Sequence, residues 1–250
     1  MSGHSKWAGI KHRKAAVDAR RGKVFSKLIK ELTTSARQGG SNPETNPRLR
    51  TAINTAKDAN MPSDNIDRAI KKGTGELPGA SYEEVNYEGY GPGGVAILLD
   101  CLTDNKNRTT AEIRNLFAKK GGNLAGAGSV AWVFEKKGLI IIDKEKINED
   151  KLMAIILEAG AEDLRVEAKT YEVLTEPTDF EKVKEALKAS GIEYSVAELT
   201  MDPKNTVKAE GAKARQVLEL VEALEDNDDV QHVYANFDIP DKILEEVEKE

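Results

Sequence analysis

The chain has 250 residues, of which 39% are hydrophobic and 32% charged, and its formal net charge is −6. This length predicts two domains, or three small ones, with cores large enough to fold without disulfides. Its single cysteine, Cys101, excludes an internal disulfide. No apolar run approaches the ~20 residues that a membrane helix needs. Together these features favour a soluble, cytoplasmic protein without membrane partners.

Charge is distributed unevenly along the chain. Residues 1–75 contain 16 Lys and Arg against 6 Asp and Glu, a net charge of +10. The remaining 21 basic and 37 acidic residues give −16. The segment Gly3–Lys30 contains nine Lys or Arg residues and one acidic residue, Asp18. This asymmetry is typical of a basic module for a polyanion, attached to units with another role.

The first region, residues 1–77, is predicted to be a basic helical domain. In "KVFSKLIKELTTSAR", helical spacing places Val24, Phe25, Leu28, Ile29 and Leu32 on one arc. The same spacing puts three lysines on the opposite arc, where we expect them to face solvent: Lys23, Lys27 and Lys30.

Two breaks divide this region into three helices. Asn46 is the expected cap of the second helix, with Pro47 at its first position. Ser63 is the expected cap of the third, and Gly73 its expected end. The loop at Asn60, Met61 and Pro62 has two interpretations, a simple turn or a projection into a partner.

From about residue 82 onward, strands and helices alternate. "GLIIID" begins a β-α-β-β-α-β series, the ferredoxin-like order. The β-α-β pieces before and after it, at 95–135 and 204–237, complete a second such series. The predicted fold class is therefore multidomain α+β: an N-terminal all-helical bundle followed by two ferredoxin-like domains, one inserted into the other. The predicted boundaries are 82–136 plus 203–250 for the discontinuous domain and 137–202 for the inserted one. The alternative is a single larger mixed sheet.

Four stretches resemble the YebC family: "GHSKWAGIKHRKAAVDARRGKVFSKLIKEL", "NMPSDNIDRAIKKG", "YEGYGPGGVAILLDCLTDNKNRTTAEIR" and "GSVAWVFEKKG". The resemblance implies three domains, a bacterial cytoplasmic location and no known enzymatic reaction. Members of that family are described as probable transcriptional regulators, and mitochondrial relatives as translational activators. Some bacterial members are implicated at the ribosome. The resemblance thus leaves two targets, DNA and ribosomal RNA.

The basic segment is the strongest functional signal, because clustered cations bind phosphates by releasing counterions. Trp7 is interpreted either as a stacking platform for an unpaired base or as an anchor that packs on the bundle. The region offers no defensible helix-turn-helix and little Asn or Gln, which favours phosphate contacts over base reading. The predicted nucleic-acid-binding residues are Lys6, Trp7, Lys11, Arg13, Lys14, Arg20, Arg21, Lys23, Lys27, Lys30, Lys71 and Lys72.

Weaker signals lie in the α+β part. Thr109 and Glu112 fit a capping box, and Lys106 and Arg108 beside it form a candidate secondary phosphate contact. "YGPGG" precedes a strand and is interpreted as a turn rather than a phosphate loop. "GSVAWVFE" is predicted to be a strand with Trp132 and Phe134 on one face, either as aromatic residues that stack on RNA bases or as sheet core or a domain contact.

No set of residues has the spacing of a catalytic site, a metal site or a cofactor site. We therefore expect a non-enzymatic nucleic-acid-binding regulator of gene expression, a transcription or translation factor, with no cofactor and no metal. The alternative is a protein-interaction scaffold whose basic domain docks on an acidic partner or on a second copy.

Overall fold

In the computed structural model, the structure describes residues 18–248, with side chains for 22–240, 242–244 and 246. The first unit, called here the helical unit, consists of helices α1 (Asp18–Gly39), α2 (Pro47–Asp58) and α3 (Ser63–Thr74). The predicted apolar arc of α1 is confirmed for four of its five residues, since Phe25, Leu28, Ile29 and Leu32 pack into the core of this unit and Val24 is not part of that cluster. Its remaining core residues are Ala36, Leu49, Ala52, Ile53, Ala56, Met61, Ile66, Ala69 and Ile70.

The ends of these helices correct two predictions. Asn46 caps α2 as expected, because its side chain accepts from the Leu49 N–H at 3.1 Å. Ser63, however, is already the first residue of α3; the preceding Pro62 takes the cap position without a side-chain hydrogen bond. Gly73 does not end α3, which continues to Thr74 and is capped by Gly75 in the left-handed conformation.

The second unit, called the first α+β unit, is built on a four-stranded antiparallel sheet. Its strands are β1 (Glu83–Tyr90), β2 (Ala96–Thr103), β3 (Asn123–Ala125) and β9 (Val230–Ala235), in the order β3-β1-β2-β9. Helices α4 (Lys106–Lys119) and α7 (Gly211–Glu225) cover one face and form the largest hydrophobic core with it. A short parallel pair, β8 (Val207–Lys208) with β10 (Phe237–Asp238), and helix α8 (Asp241–Glu248) complete the unit.

The third unit, called the inserted unit, runs β4 (Phe134–Asp143), α5 (Glu149–Ala159), β5 (Asp163–Val166), β6 (Thr170–Thr175), α6 (Phe180–Ala189) and β7 (Val196–Pro203). Its sheet order is β5-β6-β4-β7, with α5 and α6 packed on the core residues of one face. The β-α-β-β-α-β series predicted here, and the multidomain α+β fold class, are confirmed.

The first α+β unit reaches the same arrangement by a different chain order. The two sheets match strand for strand, β3-β1-β2-β9 against β5-β6-β4-β7. The strand equivalent to β6 is β1, which comes before β2 in the chain and was not predicted. The segment predicted as a strand at 205–209 supplies only the two-residue β8.

The transition between the two α+β units also differs from the prediction. Residues Ala131–Val133 form a short 3-10 helix, and β4 then runs without a break across the predicted boundary at 136/137. Trp132 and Phe134 therefore do not share a strand face. Phe134 is buried between the units, whereas 65% of Trp132 is exposed. "YGPGG" forms the predicted turn, with Gly93 and Gly94 at positive φ.

Candidate nucleic-acid interface

The predicted binding residues fall into three groups. The first group, Lys6, Trp7, Lys11, Arg13 and Lys14, lies outside the described residues, as do the side chains of Arg20 and Arg21, whose backbone belongs to α1. The second is the lysine row of α1, and the third lies on α3. The interface is therefore built below from the second and third groups.

The lysine row, Lys23, Lys27 and Lys30, contacts protein, which corrects the prediction that it faces solvent. Lys27 and Lys30 are half-buried, and Lys23 is still exposed. Each lysine meets the acidic turn, defined as residues 225–229, which joins α7 to β9. Lys23 Nζ lies 3.3 Å from a carboxylate oxygen of Asp226. Lys27 Nζ donates to the Glu225 carbonyl at 2.6 Å.

Lys30 makes the most buried of these contacts. Its ammonium group donates to Asp229 Oδ1 at 2.6 Å and to the Asp228 carbonyl at 2.8 Å. It also lies 5.6 Å from the centre of the Tyr82 ring, within range of a cation–π interaction. Only 13% of the Lys30 side chain and 5% of the Asp229 side chain are exposed. The pair therefore joins the helical unit to the first α+β unit at a nearly dry contact.

Asp229 is the centre of a hydrogen-bond cluster. Its Oδ2 accepts from Thr109 at 2.6 Å, from Arg108 at 2.7 Å and from Thr103 at 3.2 Å. Burial alone would raise the pKa of Asp229, but the hydrogen bonds from Lys30, Thr109 and Arg108 outweigh it and lower the pKa to about 2. The carboxylate is thus ionised at neutral pH and holds cations from two units.

This cluster changes the interpretation of the candidate phosphate contact. Arg108 also contacts Asp104 at 3.0 Å and Glu112 at 3.8 Å, so its charge is already compensated by carboxylates. Lys106, the first residue of α4, is exposed. The predicted capping box is wrong, because Asn105 caps α4 by accepting from the Arg108 N–H. Thr109 lies within α4 rather than at its cap, and its buried hydroxyl donates to Asp229 instead.

A second polar contact joins the same two units. Arg48 forms two hydrogen bonds with Glu31, at 2.7 and 2.9 Å, and reaches Glu84 on β1 at 2.5 Å. Gln38 bonds both Arg48 and Glu84. Among the described residues, no hydrophobic cluster contains side chains from both the helical unit and the α+β units. The helical unit is therefore attached mainly by ionic and hydrogen-bonding contacts.

The α3 cations, defined as Arg68, Lys71 and Lys72, are differently placed. At 100° per residue they lie on one face in the C-terminal half of α3, away from the buried Ala69 and Gly73. Arg68 and Lys71 are exposed and Lys72 is half-buried. None of the three forms an ion pair with the residues that the structure describes. Arg68 was not predicted, although its position one turn before Lys72 is a usable signal.

The loop at Asn60, Met61 and Pro62 is a helix end with a buried anchor. Asn60 takes a φ of 58°, and the Met61 N–H bonds the Ala56 carbonyl, as in a Schellman motif. Met61 is 5% exposed and belongs to the core of the helical unit, so it cannot project into a partner without leaving that core. Only Asn60 and Pro62 are exposed for a contact.

Trp132 lies in the segment 128–133, whose backbone is hydrogen-bonded to the buried carboxylate of Glu88. Glu88, on β1, accepts backbone N–H bonds from Gly128, Val130 and Ala131 at 2.6 to 2.9 Å. Burial would raise the pKa of Glu88, but these hydrogen bonds lower it. Trp132 itself donates its indole N–H to the Ser129 carbonyl at 3.0 Å. Its position is therefore defined by the loop, although its ring is open to solvent.

Within the described residues, no three His, Cys, Asp or Glu side chains are grouped so that they could hold a metal ion. None of the helices in that same part of the chain is long and apolar enough to cross a membrane.

The fold and this surface define a class of protein: a basic helical unit attached by polar contacts to two acidic α+β units. The profile described as "TACO1/YebC protein N-terminal domain" matches residues 5–76, and that described as "TACO1/YebC second and third domain" matches residues 82–237. The chain belongs to the TACO1/YebC family, as its resemblance to YebC predicted.

Full-length relatives and a solved structure agree with this assignment. A "Probable transcriptional regulatory protein" of Dictyoglomus turgidum is 61% identical over 98% of this chain and 99% of its own. A protein of the same name from Syntrophus aciditrophicus is 59% identical over 99% of both chains. The crystal structure of conserved hypothetical protein Aq1575 from Aquifex aeolicus has a TM-score of 0.82 and 50% identity, covering 92% of this chain and 95% of that one. The curated relatives are thus named as regulators.

Proposed function

We propose that this chain is a non-enzymatic regulator of gene expression that binds nucleic acid through its helical unit. The observation that carries the proposal is the net charge of +10 on residues 1–75 in a chain whose total is −6. The α3 cations support it, because they can approach phosphates without first losing an ion pair within the described structure. The names of the relatives support the regulatory role.

The proposed mode of binding is contact with phosphates. Lys and Arg dominate the basic segment, and Asn and Gln, which read adenine edges, are few. In this proposal Lys6, Lys11, Arg13, Lys14, Arg20 and Arg21 add further phosphate contacts, and Trp7 stacks on an unpaired base. Such contacts fix position on the backbone and carry little sequence information.

The proposed target is argued from this chemistry and from the names of the relatives. The names of the relatives favour promoter DNA, whereas weak base reading suits structured RNA, including ribosomal RNA in the cytoplasm. We therefore favour RNA, with action in translation. Binding of ribosomal RNA fragments and of random duplex DNA, compared at one stated salt concentration, separates the two targets. A clear preference for one short DNA sequence would contradict the RNA assignment.

Charge reversal of one α3 cation tests the proposal directly. We expect Lys71→Glu to weaken binding and to reduce the slope of log affinity against log salt by about 1 between about 50 and 200 mM. The matched control is Lys188→Glu, since Lys188 also lies in the last turn of a helix, α6 in the inserted unit. Equal affinities and equal slopes for the two variants would contradict a phosphate contact by Lys71.

The second candidate is a protein-interaction scaffold. The fit of the lysine row to an acidic protein surface within the same chain favours it. If this role holds instead, the protein should bind neither RNA nor DNA at low salt. It should then sediment as a salt-sensitive dimer or with an acidic protein, and Lys71→Glu should weaken that association.

A further inference from the structure

The lysine row and the acidic turn fit each other residue by residue. Lys23, Lys27 and Lys30 follow one another at spacings of four and three, so they occupy one face of α1. The turn "EDNDD" presents two carboxylates and two carbonyl oxygens to that face: Asp226 and Asp229 by their side chains, Glu225 and Asp228 by their backbones. Anionic and partly negative oxygens thus occupy the positions that phosphate oxygens would take.

We propose that this contact is an autoinhibitory latch, in which the acidic turn covers the lysine row until nucleic acid displaces it. The inference rests on the proposed function. The lysine row is part of the strongest basic segment in the sequence, yet its amines already bind the chain's own oxygens. A polyanion must compete for these amines, because an ammonium group that is hydrogen-bonded to the acidic turn has fewer N–H donors left for phosphate oxygens.

The contact is built so that it can open. Asp226 and Lys23 are 59% and 47% exposed, so solvent and salt screen their pair. Asp229 is more buried, but it also binds Arg108 and Thr109 within its own unit. When Lys30 leaves, the carboxylate therefore keeps a cationic partner and is not left as an isolated buried charge. Lys30 in turn gains a phosphate.

The attachment of the helical unit favours the same motion. Its contacts with the first α+β unit include the latch, the Lys30–Tyr82 cation–π contact and the Arg48–Glu84–Gln38 network. No hydrophobic cluster of the described side chains spans the two units. Separation would thus expose polar groups that water and phosphate can satisfy. By linkage, opening the latch raises nucleic-acid affinity, and bound nucleic acid favours the open form to the same extent.

The test reverses one charge of the turn without touching a basic residue. Asp226→Lys removes the Lys23 pair and places a like charge opposite it. The matched control is Glu219→Lys on α7, which makes the same charge change and breaks one exposed ion pair, with Lys120 at 2.8 Å. The probe is an RNA duplex of about 20 base pairs at about 50 and 200 mM salt.

We expect Asp226→Lys to bind the duplex about two- to fivefold more tightly than Glu219→Lys, which is the range that an exposed ion pair contributes. Equal affinity of the two variants would overturn the latch and leave the proposed function standing. Absence of binding by the wild type and both variants would overturn the proposed function and the latch with it.

A second measurement on the wild type follows the contact itself. Carbodiimide treatment should couple Lys23 to Asp226 as an amide, because the two groups are 3.3 Å apart. Mass spectrometry should find this cross-link in the free protein and less of it when the duplex is bound. A yield that stays unchanged at saturating duplex would overturn the latch.

Discussion

Asp229→Asn is the most informative single change in the contact between the helical unit and the first α+β unit. The wild-type carboxylate accepts from Lys30 on one oxygen and from Arg108, Thr109 and Thr103 on the other. The asparagine amide has the same shape but only one accepting oxygen. Its NH2 group would point at residues that are themselves hydrogen-bond donors. It also leaves the nearly buried Lys30 without its charged partner. We therefore expect a loss of stability rather than a neutral replacement.

The magnitude follows from the ionisation of this group. Burial opposes the charge, but the hydrogen bonds from Lys30, Thr109 and Arg108 lower the pKa of Asp229 from 3.8 to about 2. Each tenfold change in an ionisation constant corresponds to about 1.4 kcal/mol. The fold thus favours the carboxylate by about 2 kcal/mol. For a protein of this size, that loss lowers the Tm by about 4–8 °C.

The pH dependence has a definite sign. Because the folded-state pKa lies below the unfolded one, this stabilisation is fully present above about pH 5 and is lost as the pH falls toward 2. Thermal unfolding of wild type and Asp229→Asn, followed by circular dichroism across this range, should show a Tm gap that closes with acid. Asp226→Asn is the control, and its exposed pair should contribute less than about 1 kcal/mol.

Two results would refute this reasoning. Equal Tm values for wild type and Asp229→Asn at pH 7 would mean that the cluster contributes no net stability. A gap that persists undiminished down to about pH 2 would mean that the amide disturbs shape and not charge.

Two further predictions concern packing and thiol chemistry. Gly73→Ala should destabilise the fold by about 1–3 kcal/mol, because a Cβ there would meet backbone and side-chain atoms of α1. Gly22→Ala, whose Cβ would have no atom within 4 Å, should stabilise the fold by up to about 1 kcal/mol. Thermal melts compare the two variants, and changes in Tm of the same sign would contradict the packing argument. Burial raises the pKa of Cys101 to about 12, so its thiol should resist alkylation at pH 8 until denaturant is added, and fast reaction with the native protein would contradict its buried position.

Local patterns in the sequence predicted much of this fold. The apolar arc of α1, the Asn46 cap and the order of the inserted unit all depend on residues close together in the chain. Strand β1 escaped prediction because its sequence, "EEVNYEGY", carries three acids and lacks the apolar run of β2. Glu88 is buried within it only because the 128–131 backbone folds over it, about 40 residues later.

The same limit explains the lysine row. Helical spacing shows correctly that Lys30 lies off the core of its own unit, and solvent is then the simplest expectation. Its partner, Asp229, is 199 residues away in the chain and reaches it only through the sheet that positions the acidic turn. The local pattern identifies the charged face, but contact with another unit decides what that face meets.

The closure of the first sheet has a consequence for synthesis of the chain. Strand β2 pairs with β9, where Ile97 lies opposite Ala235, so the sheet cannot be completed until residue 235 has been synthesised. The helices of residues 18–74 and the inserted unit contain their own partners and can fold while translation continues. The acidic turn takes its final position only when nearly the whole chain has left the ribosome. A nascent chain therefore presents the lysine row of α1 uncovered, and the finished protein is the first form in which the acidic turn can cover it.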